Sequence, residues 1–308
     1  MDLRQLRYFI VLANQQHFGR AANVLHVAQP ALTRQIQLLE EELGVQLFVR
    51  HARGATPTEE ALFLLERASF LLRYAEQLKQ DMMARQRDPR GPVAVGLSPG
   101  LALLLAVPLT RAVHRRMPDV RLRIVEGLAQ SLQGMLLQGT VDLAVLNYPA
   151  QGTNLVTFPL LTEDICLIGR PDDKRMHAPK AKLKQFGGLP LVMTGVAKSG
   201  VRLELEVGAA RAGVELNQMV EVETVEVAKR LVRDGVGLTV HFAAAVKEDL
   251  EAGRLNAIPI EGLHLRRIIA RASDRPPSRA TEEMIDILRT VIEELVQGGE
   301  WPHAVLDS

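Results

Sequence analysis

The 308-residue chain has a single cysteine, Cys166, one tryptophan and three tyrosines. One cysteine excludes an internal disulfide and any multi-cysteine zinc site, and it suits a reducing compartment. Long apolar runs are also missing. The longest, Leu101–Leu109, is about half of the ~20 residues needed to span a bilayer, and Pro108 interrupts it. The first residues, MDLRQLRYFIVLANQQ, lack a basic start followed by a long apolar stretch and a small-residue cleavage site. No targeting segment and no membrane association are expected, and a cytoplasmic location is. Net charge is nearly absent, because 37 basic residues face 36 acidic ones and leave +1. That balance does not exclude nucleic acid, since a small basic module can sit inside a neutral chain.

The remaining composition is ordinary. Hydrophobic residues make up 47% and charged residues 24%, which excludes wholesale disorder. The length exceeds one ordinary core, so two or three domains are expected.

The N-terminal stretch is helical. Leu6, Phe9, Ile10 and Ala13 recur at helical spacing, Ala21, Ala22 and Leu25 give a shorter second face, and a third helix opens at Gln29-Pro30. Its expected buried stripe is Leu32, Ile36, Leu39 and Leu43, with Gly44 as its stop. Leu47–Arg50 and Ala55–Thr58 then read as two strands around a turn at His51–Gly54. Thr58 is placed to cap a helix that runs to Arg87, with Leu64, Leu71 and Leu78 among its regularly spaced apolar positions. A balanced, amphipathic helix of that length calls for a partner helix, so these leucines are candidate dimerisation residues.

Asp88-Pro89-Arg90-Gly91-Pro92 breaks the pattern and reads as a hinge over 88–92. Beyond it, strand-like and helical segments alternate from Val93–Leu97 to a last helix at Thr281–Val296. This alternation predicts α/β layers with mostly parallel strands. Some 215 residues are too many for one sheet, so two lobes are expected, about 93–161 with 267–308, and about 162–266.

Two groups of residues carry functional chemistry. At about 100° per residue, Pro30, Thr33, Arg34 and Gln37 lie opposite the buried stripe of the third helix, with Gln29 at its start. Arg, Gln and Thr are side chains that read base edges, and a helix start attracts phosphate. Residues 1–58 carry six arginines against four acids, a surplus small enough that two copies would have to add their footprints. The second group comprises loops at the carboxyl ends of strands, where ligands of α/β folds sit. These supply Ser98 and Gly100, Gln130 and Ser131, and Thr194, Lys198 and Ser199, with His241 after another strand. Hydroxyls and N–H groups there suit a small anion or carboxylate, although each Ser or Thr taken singly is better explained as a helix N-cap. His241 is equally well explained as packed core.

His17, His26 and His51 have no metal-ligand spacing, and no activated nucleophile, paired acid or phosphate loop is present, so no catalytic residue, metal or cofactor is expected. Cys166, in an apolar strand, reads as buried, and Glu163-Asp164 as a solvated loop.

The stretch AANVLHVAQPALTRQIQLLEEELGVQLFVR, with its flanks, resembles the winged helix-turn-helix of LysR-type transcriptional regulators. GPVAVGLSPG, RRMPDVRLRIVEG, LLQGTVDLAV, PLLTEDICLIG and VRDGVGLTV resemble successive signatures of that family's effector domain, so the resemblance spans essentially the whole chain. It implies a winged helix-turn-helix over 1–58, a linker and dimerisation helix over 59–87, and an effector domain over 93–308 like a two-lobed periplasmic binding protein. It also implies a homodimer through the linker helix, assembled into a homotetramer, on double-stranded promoter DNA carrying an imperfect inverted repeat. RNA polymerase is a further expected partner, and a small-molecule effector is expected in the cleft. Base contacts map onto Gln29, Pro30, Thr33 and Arg34, a minor-groove wing contact onto Arg53, and a phosphate contact onto Arg50. Gly19 and Ala28 stand where many members carry Ser. The missing signal peptide and the N-terminal helix-turn-helix argue against a transport protein using only the lobes, and an enzyme on the same scaffold has no catalytic set to support it.

Overall fold

A computed structural model describes residues 1–51, 54–84, 89–148, 154–195 and 200–307. The chain divides into two compact units, residues 1–87 with 138–140, and residues 88–137 with 141–308.

In the first unit, α1 (Leu3–Gln15), α2 (Phe18–Leu25) and α3 (Gln29–Leu43) precede a hairpin of β1 (Phe48–His51) and β2 (Gly54–Pro57), and α4 (Glu59–Ala84) follows. Leu6, Phe9, Leu12, Ala21, Leu32, Ile36, Leu39 and Phe48 form one core, with the Phe9 and Phe48 ring centroids 5.7 Å apart. The alanine face of α2 allows the close helix approach that packs these side chains. Asp2 and Gln5 form a reciprocal cap on α1, and the Thr58 hydroxyl accepts from the Ala61 N–H at 3.2 Å. Leu43 departs from its expected stripe and is 37% exposed, at the last residue of α3 before its Gly44 cap.

The second unit is built on one nine-stranded sheet. In chain order it contains β3 (Gly91–Leu97), α5 (Pro99–Arg116), β4 (Val120–Glu126), α6 (Ala129–Leu137), β5 (Leu143–Asn147), β6 (Leu155–Gly169), β7 (Leu191–Thr194), α7 (Gly200–Ala212), β8 (Gln218–Val222), α8 (Val225–Arg233), β9 (Leu238–Phe242), α9 (Lys247–Glu251), β10 (Asn256–Ala272), α10 (Arg279–Gln297) and β11 (Ala304–Leu306). The strand order is β4-β3-β5-β10-β6-β9-β7-β8, with β11 added beside β6. β3 starts at Gly91, inside the expected hinge.

The expectation of mostly parallel strands is corrected. β3 pairs in parallel with β4 and β5, and β7 with β8 and β9, but β6 and β10 pair antiparallel with each other and with the strands beside them. The long strands β6 and β10 run through the middle of the sheet. β10 meets β5 only at Arg267–Ala270, and β6 meets β9 only at Ile165–Ile168. Register shifts interrupt β10 against β6 between Pro259 and His264 and between Arg267 and Ile268. Pro159 and Pro259 sit opposite Ile268 and Cys166, and a proline withholds a ladder hydrogen bond at such points.

One core cluster draws on both halves of the sheet, including Val95, Leu105, Ile168, Val192 and Ile269. A second, with Leu167, Phe186, Leu191 and Leu205, serves the β7–β9 half alone. A third, with Leu132, Leu136, Ala144 and Ile268, serves the β3–β5 half. No helix among the described residues is long and apolar enough to cross a membrane.

Candidate DNA-reading surface and effector cleft

Burial of Leu32, Ile36 and Leu39 turns the opposite side of α3 outward. Gln29, Pro30, Arg34 and Gln37 are exposed there and Thr33 is half-buried. Ala28 offers no side-chain cap, so the start of α3 is left open to an incoming acceptor. The start of α2 is closed instead by His17, whose Nδ1 accepts from the Gly19 N–H at 3.1 Å and the Arg20 N–H at 3.4 Å. An imidazole therefore caps this helix, in a chain that has no hydroxyl at position 19, and residue types alone gave no signal of it.

The hairpin is tied to this surface at two places. Glu40 Oε1 accepts from the N–H groups of Leu47 at 2.7 Å and Phe48 at 3.1 Å, so α3 itself sets the root of β1. The Ala55 N–H donates to the Gln16 carbonyl at 2.9 Å. Gly54 has a φ of +148°, and a Cβ there would strike that same carbonyl, which is why glycine occupies the turn. Arg50 is exposed, with its guanidinium carbon 4.6 Å from the Phe18 ring centroid. Arg53 lies outside the described residues.

On α4, Ala61 and Ala68 are buried, and Leu64, Leu65 and Leu72 pack against the core of their own unit. Leu64 is therefore partly used at home. Phe63, Leu71, Leu78 and Met82 are 65%, 39%, 55% and 61% exposed, and at about 100° per residue they fall on a second face beside the core-facing one.

In the second unit, four helix starts meet at one cavity of about 110 Å³. Its walls include Ser98 to Gly100 before and at the start of α5, Leu128 and Ala129 at α6, Gly200 and Val201 at α7, and Thr224 and Val225 at α8. Each aligned helix contributes partial positive charge at its first turn. The Ser98 side chain makes no capping bond, whereas Thr224 caps α8 by accepting from the Val227 N–H at 3.4 Å. A Cβ on Gly100 would lie 2.8 Å from Phe242 Cζ and 3.1 Å from His241 Cε1, so glycine lets α5 begin against β9.

Ser98, Gly100, Thr194 and His241 thus share one cavity. Gln130 and Ser131 do not line it. They are exposed in the first turn of α6, which begins at Ala129, and the apolar Leu128, Ala129 and Leu132 form that wall. Lys198 and Ser199 lie outside the described residues.

A polar cluster that no sequence pattern marks stands beside this wall. Arg267, on β10, lines the cavity and is buried. Its Nε donates to Glu163 Oε1 at 2.5 Å, its Nη1 donates to Asn147 Oδ1, and its guanidinium lies 4.8 Å from the Phe242 ring centroid. Trp301 Nε1 donates to the other Glu163 oxygen at 2.8 Å. The expectation of a solvated Glu163 is corrected: β11 and β10 cover it from either side, and a charge so buried persists only with a partner such as Arg267. The second cation on the cavity, Arg202, pairs with Glu206 at 2.8 Å and Glu221 at 2.7 Å.

Burial, together with the Arg267 charge, holds His241 neutral, its pKa lowered from 6.5 to about 3. Cys166 is buried as expected, and burial with Asp164 and Glu163 raises its thiol to about 12. That keeps it protonated and ill-suited to thiolate chemistry. No group of three or more His, Cys, Asp or Glu able to hold a metal occurs among the described residues.

A helix-turn-helix with an attached hairpin, joined in one chain to a mixed α/β domain with a ligand-sized cleft, defines a DNA-binding regulator with an effector domain. The model of bacterial regulatory helix-turn-helix proteins of the lysR family matches residues 3–62, and the LysR substrate binding domain matches residues 86–293. The chain belongs to the LysR family of transcriptional regulators. It is 31% identical over 300 residues to the nitrogen assimilation regulatory protein nac of Klebsiella aerogenes, covering 92% of this chain and 94% of that one. It is 29% identical over 305 residues to the HTH-type transcriptional regulator BbuR of Bordetella bronchiseptica, covering 98% and 93%. These relatives are regulators, not enzymes, and so is this chain. A full-length OxyR variant from Pseudomonas aeruginosa shares the fold with a TM-score of 0.71, at 24% identity over 95% of both chains. Full-length CbnR complexed with its target DNA does so with a TM-score of 0.68, at 22% identity over 94% of this chain and 100% of that one.

Proposed function

We propose that this regulator changes its grip on promoter DNA when a small carboxylate enters the cleft of its second unit. The observation that carries this reading is the meeting of four helix starts on one cavity, with an uncapped Ser98 hydroxyl among them. Both arginines on the cavity already have carboxylate partners. The helix starts, not the arginines, are therefore what attracts an anion. Ser98, Gly100 and Thr194 would hold it.

On DNA, Gln29, Pro30, Thr33, Arg34 and Gln37 read the major groove, Arg50 meets phosphate, and Arg53 reaches the minor groove from the wing. The exposed α4 face, with Leu71 and Leu78, joins two chains, and two such dimers form the tetramer that spans an imperfect inverted repeat. Work on promoter DNA implies a cytoplasmic location, with RNA polymerase as a neighbour. Effector binding supplies energy only through its different affinity for two arrangements of the assembly.

The test is a footprint on the DNA upstream of the protein's own gene, with and without small acids. An inverted-repeat footprint that shortens or shifts with an acid is expected. A footprint unaffected by every acid tried sinks the carboxylate reading, and no protection at low salt sinks the operator assignment.

A further inference from the structure

Among the described residues, two buried side-chain polar atoms have no hydrogen-bond partner: His241 Nδ1 and Arg267 Nη2. Both belong to residues that line the same cavity. Arg267 Nη2 lies 2.5 Å from Glu163 Oε1, but only as an ion-pair contact without hydrogen-bonding geometry. Buried polar atoms are almost always paired, so two orphans on one cavity call for a ligand that supplies what the protein does not.

We infer that the effector is a short 2-hydroxy or 2-oxo carboxylic acid, whose carboxylate lies at the helix starts and whose second oxygen meets Arg267 Nη2 and His241 Nδ1. This rests on the carboxylate reading of the cleft.

Three observations select that chemistry. Charge comes first. Glu163 already balances Arg267, so a second carboxylate there would face the Glu163 carboxylate, whereas a neutral oxygen would not. Donor count comes next. Arg267 can only donate, and an imidazole that stays neutral offers either a donor or an acceptor at Nδ1, depending on its tautomer. A hydroxyl accepts from Arg267 and donates to His241, while an oxo group accepts from both. Size comes last. The cavity, about 110 Å³, is smaller than the ~150 Å³ cavity that admits benzene, which limits the ligand to a few carbons.

The same geometry links binding to movement. Both orphan atoms are buried, and the start of α5 comes so near His241 and Phe242 at Gly100 that a Cβ there would not fit. An acid that reaches both atoms favours whichever arrangement of the start of α5 and β9 lets it do so, and that preference is the differential affinity a switch requires.

The test compares lactate, pyruvate and isobutyrate on the full-length protein by calorimetry. Isobutyrate is lactate with its hydroxyl replaced by a methyl group. The fluorescence of Trp301, the sole tryptophan and a hydrogen-bond partner of Glu163, gives a second readout beside the site. Lactate or pyruvate should bind at least about tenfold more tightly than isobutyrate, because the methyl leaves both orphans unmet. In His241→Leu, and in Arg267→Lys, which keeps the charge beside Glu163, the gap should narrow, because each variant removes one of the two partners of the second oxygen. If Arg267→Lys does not fold, His241→Leu decides. Equal affinity for lactate, pyruvate and isobutyrate in the wild type, or a gap of undiminished size in His241→Leu, overturns this inference and leaves the carboxylate cleft standing. Failure of all three acids to bind the wild type overturns both.

Discussion

The proposed DNA reading rests on single residues. Arg34 projects from the outward face of α3 into solvent, while its neighbours Leu32 and Ile36 are fully buried. Arg34→Ala should cost about 1–3 kcal/mol of specific binding and relax preference at one base, as a bidentate Arg–guanine contact predicts. A gel-shift series over single-base operator variants checks this, and unchanged preference would remove Arg34 from the reading set. His241 supplies a prediction about acid stability. An unfolded chain protonates this imidazole near 6.5 and the folded one only near 3. The stability it contributes is complete above pH 6.5 and drains away as pH falls toward 3, since the unfolded state then binds the extra proton. Urea midpoints of His241→Leu should therefore fall less between about pH 7 and about pH 4 than those of the wild type. Parallel declines would contradict the burial of a neutral imidazole.

At the scale of elements, the first unit was legible almost throughout. The stripe of α3, its proline start, the Thr58 cap and the hairpin each follow from local pattern, and local pattern is what specifies short helices and tight turns. What local pattern left out was attachment. His17 capping α2 and Glu40 holding the root of β1 depend on which elements lie side by side, and neither residue type announces that role. Spacing likewise drew Leu64, Leu71 and Leu78 into one stripe, whereas packing divides them, Leu64 toward its own core and the other two outward. Leu71→Asp with Leu78→Asp should thus break the dimer and leave each chain folded. Sedimentation showing an unaltered oligomer would exclude that face of α4 from the interface.

At the scale of the whole molecule, the Glu163–Arg267 pair lies where the long central strands cross from one half of the sheet to the other, beside the proposed effector cleft. Glu163→Gln keeps an acceptor for Trp301 and removes the charge that balances Arg267. Breaking a buried pair by neutralising one partner costs about 3–5 kcal/mol. Urea unfolding followed through Trp301 should show a loss of that order, and a change below about 1 kcal/mol would mean the pair is solvated after all, as exposed pairs are.

The sequence by itself determined the two-part plan, the helix-turn-helix, the alternating α/β second unit and the family. These rest on periodicity, caps and breakers, which act over a few residues and survive being read one window at a time. Only the tertiary structure decided that β6 and β10 are long antiparallel strands at the centre of one sheet. Pro159, Pro259 and Gly262 make those strands look interrupted, and their pairing joins segments far apart in the chain. It also brought Asn147, Glu163, Arg267 and Trp301 together from four separate segments. A buried charge finds its partner through space, and no spacing along the chain records that.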